Sequence, residues 1–210
     1  MKADQRGRWI CVDGVETVGK TTVAHALAER LGGVTISEFS QTLFGDALRQ
    51  AVQTSPHFIS ESALGQSLVF IGDFAELVKS RVTPALAAGR LVVTDRGYLS
   101  KYAYQQVVLQ SEMSRDAAAS LLDAIFTHIL TPDLTLLLTA PPATLKQRLI
   151  DRGESCDDQR LAFMATAVDA AQARLARRPT LAATVIDSNR DVAETVSAAE
   201  RVVAASLPVT

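Results

Sequence analysis

This sequence contains little cysteine and histidine, and neither sign of charge is in large excess. Among its 210 residues there are two cysteines, Cys11 and Cys156, and three histidines. Two distant cysteines in no paired spacing exclude a disulfide scaffold and a structural zinc site, and they are typical of a reducing cytosol. The 21 Lys and Arg residues nearly balance the 23 Asp and Glu residues. No broad basic surface for duplex DNA or RNA is therefore expected.

Long apolar runs are also missing. Residues 1–8 contain no apolar core of a signal peptide. The longest uncharged stretch, 134–145, is too short to span a bilayer and is interrupted by Pro141 and Pro142. Hydrophobic residues make up 48% and charged residues 21% of the chain, as in ordinary globular proteins. We expect a soluble cytoplasmic protein that binds small molecules rather than a membrane or nucleic acid.

What is present is an alternation of short apolar segments and longer helical patterns. Five segments of β-branched residues and leucine are predicted to be strands, at 9–12, 34–36, 91–94, 134–138 and 184–186. The helical patterns lie at 20–31, 42–53, 60–88, 98–129 (divided into two helices), 142–151, 158–177 and 191–205. The alternation predicts an α/β three-layer sandwich, a five-stranded parallel sheet with helices on both faces. Because no linker or shift of composition interrupts it, the chain 1–210 is expected to be a single domain.

A glycine-rich loop follows the first predicted strand directly. Residues 14–21, Gly-Val-Glu-Thr-Val-Gly-Lys-Thr, satisfy the P-loop pattern. Glycine lets the backbone amides turn toward phosphate oxygens, Lys20 adds a positive charge, and the Thr21 hydroxyl can ligate Mg²⁺. The predicted ATP-binding residues of this loop are Gly14, Val15, Glu16, Thr17, Val18, Gly19, Lys20, Thr21 and Thr22.

The partner motifs of a GTPase are absent. The one asparagine, Asn189, is followed by arginine, so no guanine-reading Asn-Lys-x-Asp occurs, and no Asp-x-x-Gly follows the P-loop. A small phosphotransferase remains, in which Mg²⁺-ATP meets a second substrate. At the end of the third strand, Asp95 is suited to bind magnesium together with Thr21, and the adjacent Arg96 is suited to a second phosphate.

These motifs, in this order and spacing, resemble the thymidylate kinase family nearly end to end. The similar segments are 13–22, 37–49, 95–105, 132–135, 148–153 and 185–187. The resemblance implies a P-loop NTPase fold with a short lid at about 152–162, a homodimer, and MgATP as the phosphoryl donor. It also implies the catalytic set Lys20, Asp95, Arg96 and Arg152, with Arg148 beside the adenine.

The resemblance assigns roles on the acceptor side as well. Glu16 would face the 3′-hydroxyl of the acceptor sugar, Phe70 would stack on its base, and Arg96 would clamp its phosphate. The full substrate-binding set that the resemblance implies is Asp13, Glu16, Glu38, Arg49, Phe70, Phe74, Arg96, Tyr104 and Gln105.

The sequence departs from the family at several positions that read the base and the sugar. Phe74 stands where an arginine usually reads the pyrimidine edge, and Gly97 replaces the tyrosine after Asp-Arg. An aromatic on the post-lid helix that helps to exclude ribose in the family is replaced near Gln172. Loop position 17 is threonine, so a charge-neutralising arginine must come from the lid. The candidates are Arg152 and Arg160, and Arg160 is interpreted as a solvated charge. The expected acceptor is dTMP or a related or modified pyrimidine nucleotide.

Two other functions are compatible with the sequence. A deoxynucleoside kinase would phosphorylate a 5′-hydroxyl and needs a base, for which Glu38 is the candidate. A non-catalytic nucleotide-binding paralogue would keep the fold without the activity. The intact Lys20, Thr21 and Asp95 argue against this second alternative.

Other notable residues are assigned to packing or to solvent. Trp9 is expected at the sheet edge and Cys11 as an inert core thiol. Arg174 and the arginines at 177–178 are expected to form a solvated helix end. His57 is a candidate to approach the acceptor from a loop.

Overall fold

The computed structural model describes residues 6–54 and 61–207, so the predicted role of His57 lies outside the described residues. The strands are Trp9–Asp13 (β1), Val34–Ile36 (β2), Val92–Asp95 (β3), Leu134–Thr139 (β4) and Ala183–Asp187 (β5). The helices are Lys20–Arg30 (α1), Leu43–Thr54 (α2), Ala63–Leu77 (α3), Thr83–Ala87 (α4), Tyr98–Leu109 (α5), Arg115–Phe126 (α6), Pro142–Asp151 (α7), Asp158–Arg177 (α8) and Val192–Ser206 (α9). Within these two described ranges, no helix is long and apolar enough to cross a membrane.

The strands pair in parallel in the order β2-β3-β1-β4-β5, which confirms the predicted five-stranded sheet. β1 is central, and its Val12 lies beside Asp95 of β3 on one side and Leu136 of β4 on the other. Parallel strands bring their carboxyl ends to one edge of the sheet. The P-loop after β1, Glu38 after β2 and Asp95 at the end of β3 therefore meet at this edge.

Side chains of β1 alternate between two cores, one on each face of the sheet. Trp9 belongs to an aromatic-rich core that includes Tyr102 and Phe126, and α3, α5 and α6 contribute to it. Ile10 and Val12 belong to an aliphatic core built with α1, α7 and α9. Helices thus cover both faces of the sheet, and the predicted three-layer sandwich is confirmed.

Polar caps and a proline explain where the long helical patterns divide. Ser62 accepts a hydrogen bond from the Gly65 amide at the start of α3, and Ser114 does the same from the Ala117 amide at the start of α6. The pattern at 60–88 is not one helix, because a π-helical segment, Val78–Val82, separates α3 from α4. Pro84 in the first turn of α4 has no backbone N–H to continue an α-helical ladder.

Trp9 does not lie at the sheet edge, which corrects the expectation from sequence. It is fully buried on the central strand, and its indole Nε1 donates a hydrogen bond to Thr94 Oγ1 on β3 at 3.1 Å. A buried indole needs a partner for its N–H, and the neighbouring strand supplies one.

The expectation of a solvated arginine cluster is wrong for Arg174. Its side chain is buried, and its guanidinium lies 4.3 Å from the ring centroid of Tyr102. The guanidinium donates a hydrogen bond to the Tyr98 hydroxyl at 2.9 Å and forms an ion pair with Asp123. Arg174 lies on the face of α8 that packs against α5, whereas Arg177 on the same helix is exposed. The buried charge is tolerated because the ion pair, the hydroxyl and the ring faces replace water.

Candidate active site

The P-loop is held in shape by its backbone. Gly14 and Gly19 have φ values of 139° and 98°, which favour glycine, and Thr17 also has a positive φ of 57°. A Cβ atom on Gly14 would lie 2.6 Å from the carbonyl oxygen of Leu138 on β4. The loop therefore fits closely over the end of the sheet and opens into α1, whose N-terminus favours anions.

The side chain of Lys20 bonds to the backbone of the P-loop. Its Nζ donates to the carbonyl oxygen of Val15 at 2.6 Å, and its side chain is buried. Burial and the neighbouring Arg96 lower the pKa of Lys20 to about 7, although Asp95 acts in the opposite direction. Phosphate oxygens placed in the loop would favour the charged ammonium and raise this pKa again.

Thr21 and Asp95 come together as the magnesium prediction requires. The Thr21 hydroxyl donates to Asp95 Oδ2 at 2.6 Å across the end of the sheet. A hydroxyl and a carboxylate are the hard oxygen donors that Mg²⁺ prefers, so the residues fit this ion. They line an open cleft of about 500 Å³, the central cleft, whose other lining residues include Glu16, Lys20, Glu38, Arg96 and Arg152.

Arg96 sits between this cleft and a neighbouring pocket, the candidate acceptor pocket. It has a positive φ of 73°, an uncommon backbone conformation for a side chain of this size. Its Nε lies 2.9 Å from Glu38 Oε2, and its guanidinium lies 5.0 Å from the ring centroid of Tyr104. The Tyr104 hydroxyl in turn accepts a hydrogen bond from the Glu16 amide at 3.2 Å. These contacts tie the end of β3 to α5 and to the P-loop.

Glu38 is held as an anion by two cations. Besides Arg96, the Nζ of Lys101 on α5 donates to Glu38 Oε1 at 2.6 Å. Burial alone would raise the pKa of Glu38, but Arg96 and Lys101 outweigh it and lower the pKa to about 2. The sequence analysis missed Lys101. The available signal was a lysine between Ser100 and Tyr102, within the stretch already compared with the family.

The segment predicted as a lid, 152–162, reaches back to the P-loop. Arg160 donates to both carboxylate oxygens of Glu16, at 2.7 and 2.6 Å, and also to Glu154 and the Ser155 carbonyl. The interpretation of Arg160 as a solvated charge is therefore wrong. Asp157 caps the start of α8 by accepting from the Arg160 amide, which fixes the residue facing the P-loop. Arg152, in contrast, is exposed at the end of α7.

A second cleft, of about 520 Å³, extends from the P-loop toward α9. Arg148 on α7 forms part of its wall, donating to the Thr17 carbonyl at 3.3 Å and to the Ser188 carbonyl at 2.7 Å. The cleft shares Thr17, Gly19, Thr22 and Arg152 with the central cleft. The cleft lies beside the P-loop, and the role of Arg148 beside the adenine stays a prediction.

The acceptor pocket is an open cleft of about 580 Å³ on the other side of Arg96. Phe70 of α3 lines it, as do Tyr104 and Gln105 of α5. Two further aromatic residues, missed by the sequence analysis, complete its walls: Phe39 after β2 and Phe163 on α8. The remaining lining residues are Glu16, Glu38, Val52, Gln66, Arg96, Ser100, Lys101 and Val108.

Three residues predicted to bind substrate do not line these clefts. Phe74 is 1% exposed and packs in the core, with its ring centroid 6.4 Å from that of Phe126, because a phenyl ring gains more from burial there than from the pocket rim. Asp13 is fully buried, and its carboxylate accepts from the backbone amides at 14, 99 and 100, which stabilises the start of α5. Arg49 on α2 pairs with Asp46 on its own helix at 3.5 Å.

Two departures from the family also have a structural explanation. A Cβ atom on Gly97 would lie 2.6 Å from the Cys11 sulfur, so the thiol occupies the space that a side chain at position 97 needs. Gln172 is exposed and lies outside the acceptor pocket, whereas Phe163 of the same helix lines it, edge-on to Tyr104 at 5.3 Å. On α8 the aromatic side chain that lines this pocket is therefore at position 163 and not at position 172.

Comparisons with known proteins agree with this geometry. The family model described as thymidylate kinase matches residues 12–199. The thymidylate kinase of Halorhodospira halophila is 32% identical over 98% of this chain and 97% of its own length, and the probable thymidylate kinase of Methanococcoides burtonii is 29% identical over 90% and 92%. Solved structures of thymidylate kinases share the fold. The crystal structure from Ehrlichia chaffeensis has a TM-score of 0.71 at 20% identity and covers 94% of this chain and 99% of that chain. The structure from Candida albicans has a TM-score of 0.76 at 18% identity and covers 95% of this chain and 92% of that chain. The chain belongs to the thymidylate kinase family.

Proposed function

We propose that the protein transfers the γ-phosphoryl group of MgATP to the phosphate of dTMP or a related pyrimidine nucleotide, forming a diphosphate and ADP. One observation carries the proposal: the clefts form a continuous path. The cleft beside Arg148 shares Thr17, Gly19, Thr22 and Arg152 with the central cleft. The central cleft in turn shares Glu16, Glu38 and Arg96 with the acceptor pocket. Such a path holds two substrates end to end, with their phosphates meeting at Lys20.

The chain's own residues act by positioning and by neutralising charge. The P-loop amides and Lys20 hold the donor phosphates, while Arg96 holds the acceptor phosphate in line with them. Thr21 and Asp95 would hold Mg²⁺, which when bound neutralises negative charge on the phosphates. Residues 152–162 form the lid, from which Arg152 and Arg160 reach the phosphates.

The acceptor phosphate needs no strong base, since its oxygens are already anionic at neutral pH. This requirement separates the proposal from a deoxynucleoside kinase, which must deprotonate a hydroxyl. Glu38 is a poor base for that reaction, because the two cations beside it lower its pKa to about 2. The geometry therefore favours a monophosphate over a nucleoside as the acceptor.

The assembly and location of the protein are part of the same proposal. α2 and α3 each expose apolar side chains, with Leu43 91% and Leu68 49% exposed. Burial of these side chains against a second copy of the chain would remove them from water, so we propose a homodimer. We also propose that the whole chain is one domain. Cys11 and Cys156 are unpaired, which supports a reducing cytosol.

A coupled assay of ADP release across nucleosides and nucleoside monophosphates tests this function. We expect turnover with pyrimidine deoxynucleoside monophosphates and none with the free nucleosides. Turnover with nucleosides alone would favour the deoxynucleoside kinase, with Glu38→Gln as the variant to test next. Nucleotide binding without turnover on any acceptor would favour the non-catalytic paralogue.

A further inference from the structure

An ammonium group that none of these roles uses lies inside the acceptor pocket. Lys101 is 4% exposed, and its Nζ lies 4.9 Å from the ring centroid of Phe39 and 5.2 Å from that of Phe70. Both rings, whose centroids lie 6.4 Å apart, line the pocket in which the base of the acceptor would be bound. The charge therefore lies in the wall of the base pocket, on the opposite oxygen of Glu38 from Arg96.

Lys101 keeps hydrogen-bonding capacity for a ligand. Its ammonium carries three N–H donors, of which Glu38 receives one. Glu38 is its one hydrogen-bond acceptor within residues 6–54 and 61–207, and the two ring faces satisfy an ammonium only in part. An oxygen on a bound base would complete its coordination.

A matching acceptor stands one helical turn further along α5. Gln105 lies four residues after Lys101, on the same face of the helix, and lines the same pocket. Its Oε1 is buried and, among the residues that the structure describes, has no hydrogen-bond partner. A buried amide oxygen without a donor costs free energy that a ligand N–H would recover.

We propose that Lys101 and Gln105 read the imide edge of a keto pyrimidine, with Lys101 donating to the C4 carbonyl and Gln105 Oε1 accepting from the adjacent N3–H. Uracil and thymine present a carbonyl oxygen beside an N–H. Cytosine presents an unprotonated ring nitrogen and an amino group, so it reverses the pattern. The inference rests on the proposed function and names Lys101 as the residue that excludes cytosine, because an ammonium can donate but never accept.

A purely structural role for Lys101 makes a different prediction. If the lysine served only to neutralise Glu38, its loss would disturb Arg96 and lower the use of every monophosphate alike. A residue that reads the base changes the ratio between bases instead. The ratio is therefore the decisive measurement.

The test compares kcat/KM for dTMP, dUMP and dCMP in the wild type, Lys101→Met and Lys101→Arg. The wild type should prefer dTMP and dUMP to dCMP. Lys101→Met should reduce that preference about tenfold to a hundredfold, the range for a charge-assisted hydrogen bond, whereas Lys101→Arg keeps a cationic donor and should retain most of it. Lys79→Met, at an exposed lysine outside the clefts, is the matched control.

A substrate analogue on the wild type keeps the inference testable even where Lys101→Met fails to fold. The deoxynucleotide of pyrimidin-2-one lacks the C4 carbonyl and the N3 hydrogen, and it should be used as poorly as dCMP. Equal use of this analogue and dUMP, or an equal loss for all acceptors in Lys101→Met, would overturn the inference and leave the proposed function standing. A wild type that phosphorylates no pyrimidine monophosphate overturns the proposed function, and this inference with it.

Discussion

The donor and acceptor sides of the active-site cleft are built by different means. On the donor side the backbone carries the site, through the left-handed glycines of the P-loop and the bond from Lys20 to the Val15 carbonyl. On the acceptor side, side chains from separate elements hold one another, with Glu38 joining Arg96 and Lys101. A site made of backbone needs consecutive residues and leaves a motif, whereas a site made of side chains draws on positions far apart in sequence.

Lys20→Ala tests the donor side and should have the largest effect. Removing the buried ammonium withdraws charge stabilisation from the transferring phosphoryl group, which commonly costs two or more powers of ten in rate. The measurement is kcat with saturating ATP and dTMP, with thermal unfolding to verify the fold and Lys79→Ala as the control. Turnover close to the wild type would contradict the assignment of the donor site.

Arg96→Ala tests the acceptor side. Because Arg96 faces the second substrate, we expect KM for the monophosphate to rise by about one to two powers of ten, the range for a hydrogen bond to a charged group. ATP affinity, measured by calorimetry, should change little. An equal loss of ATP affinity would show that the two sides are not separable at this residue.

Phe70→Leu and Phe74→Leu form a matched pair one helical turn apart on α3. Phe70 lines the pocket, so its replacement should raise KM for the acceptor several-fold through lost stacking, worth about 0.5–1.5 kcal/mol. Phe74 lies in the core, so its replacement should lower the free energy of unfolding by about 1–2 kcal/mol with the preference among bases unchanged. Urea denaturation and acceptor kinetics separate the two outcomes, and a changed base preference in Phe74→Leu would return this residue to the pocket.

The smallest expected effect is the uptake of a proton by Lys20 when ATP binds. In the free enzyme the pKa of Lys20 is about 7, below its ordinary value, so the lysine is largely neutral at about pH 8. ATP binding should recharge it and take up close to one proton per nucleotide at that pH. Calorimetry in buffers of different ionisation enthalpy measures the uptake, which should vanish in Lys20→Ala. Because the unfolded lysine binds its proton more tightly, stability without ATP should rise as pH increases from about 7 to 10.

The sequence was sufficient for the sheet and the P-loop but not for the acceptor pocket. Apolar β-branched segments predict buried parallel strands, and the predicted strand bounds agree with the observed ones to within one or two residues. Arg174 and Trp9 were misplaced because burial depends on strand order and on which helix face packs inward. Neither property is encoded in a short segment.

Within the site, residues identified by a motif and residues assigned by position behaved differently. Thr21 and Asp95 met as their motifs required. Phe74 and Arg49, assigned by correspondence with the family, faced the core and solvent instead. Lys101 was missed because its importance depends on Glu38, which lies 63 residues earlier in the chain.

Helix α8 carries residues of both the lid and the acceptor pocket. Its C-terminal part is anchored through Arg174 in the core, while Arg160 near its start contacts the P-loop and Phe163 forms a wall of the acceptor pocket. From Arg174 to Arg160 the helix runs about 21 Å, so a tilt of about 3° moves Arg160 by about 1 Å. Arg160 and Phe163 lie on the same helix, three residues apart. A displacement of this helix would therefore change the width of the acceptor pocket and the reach of the lid together.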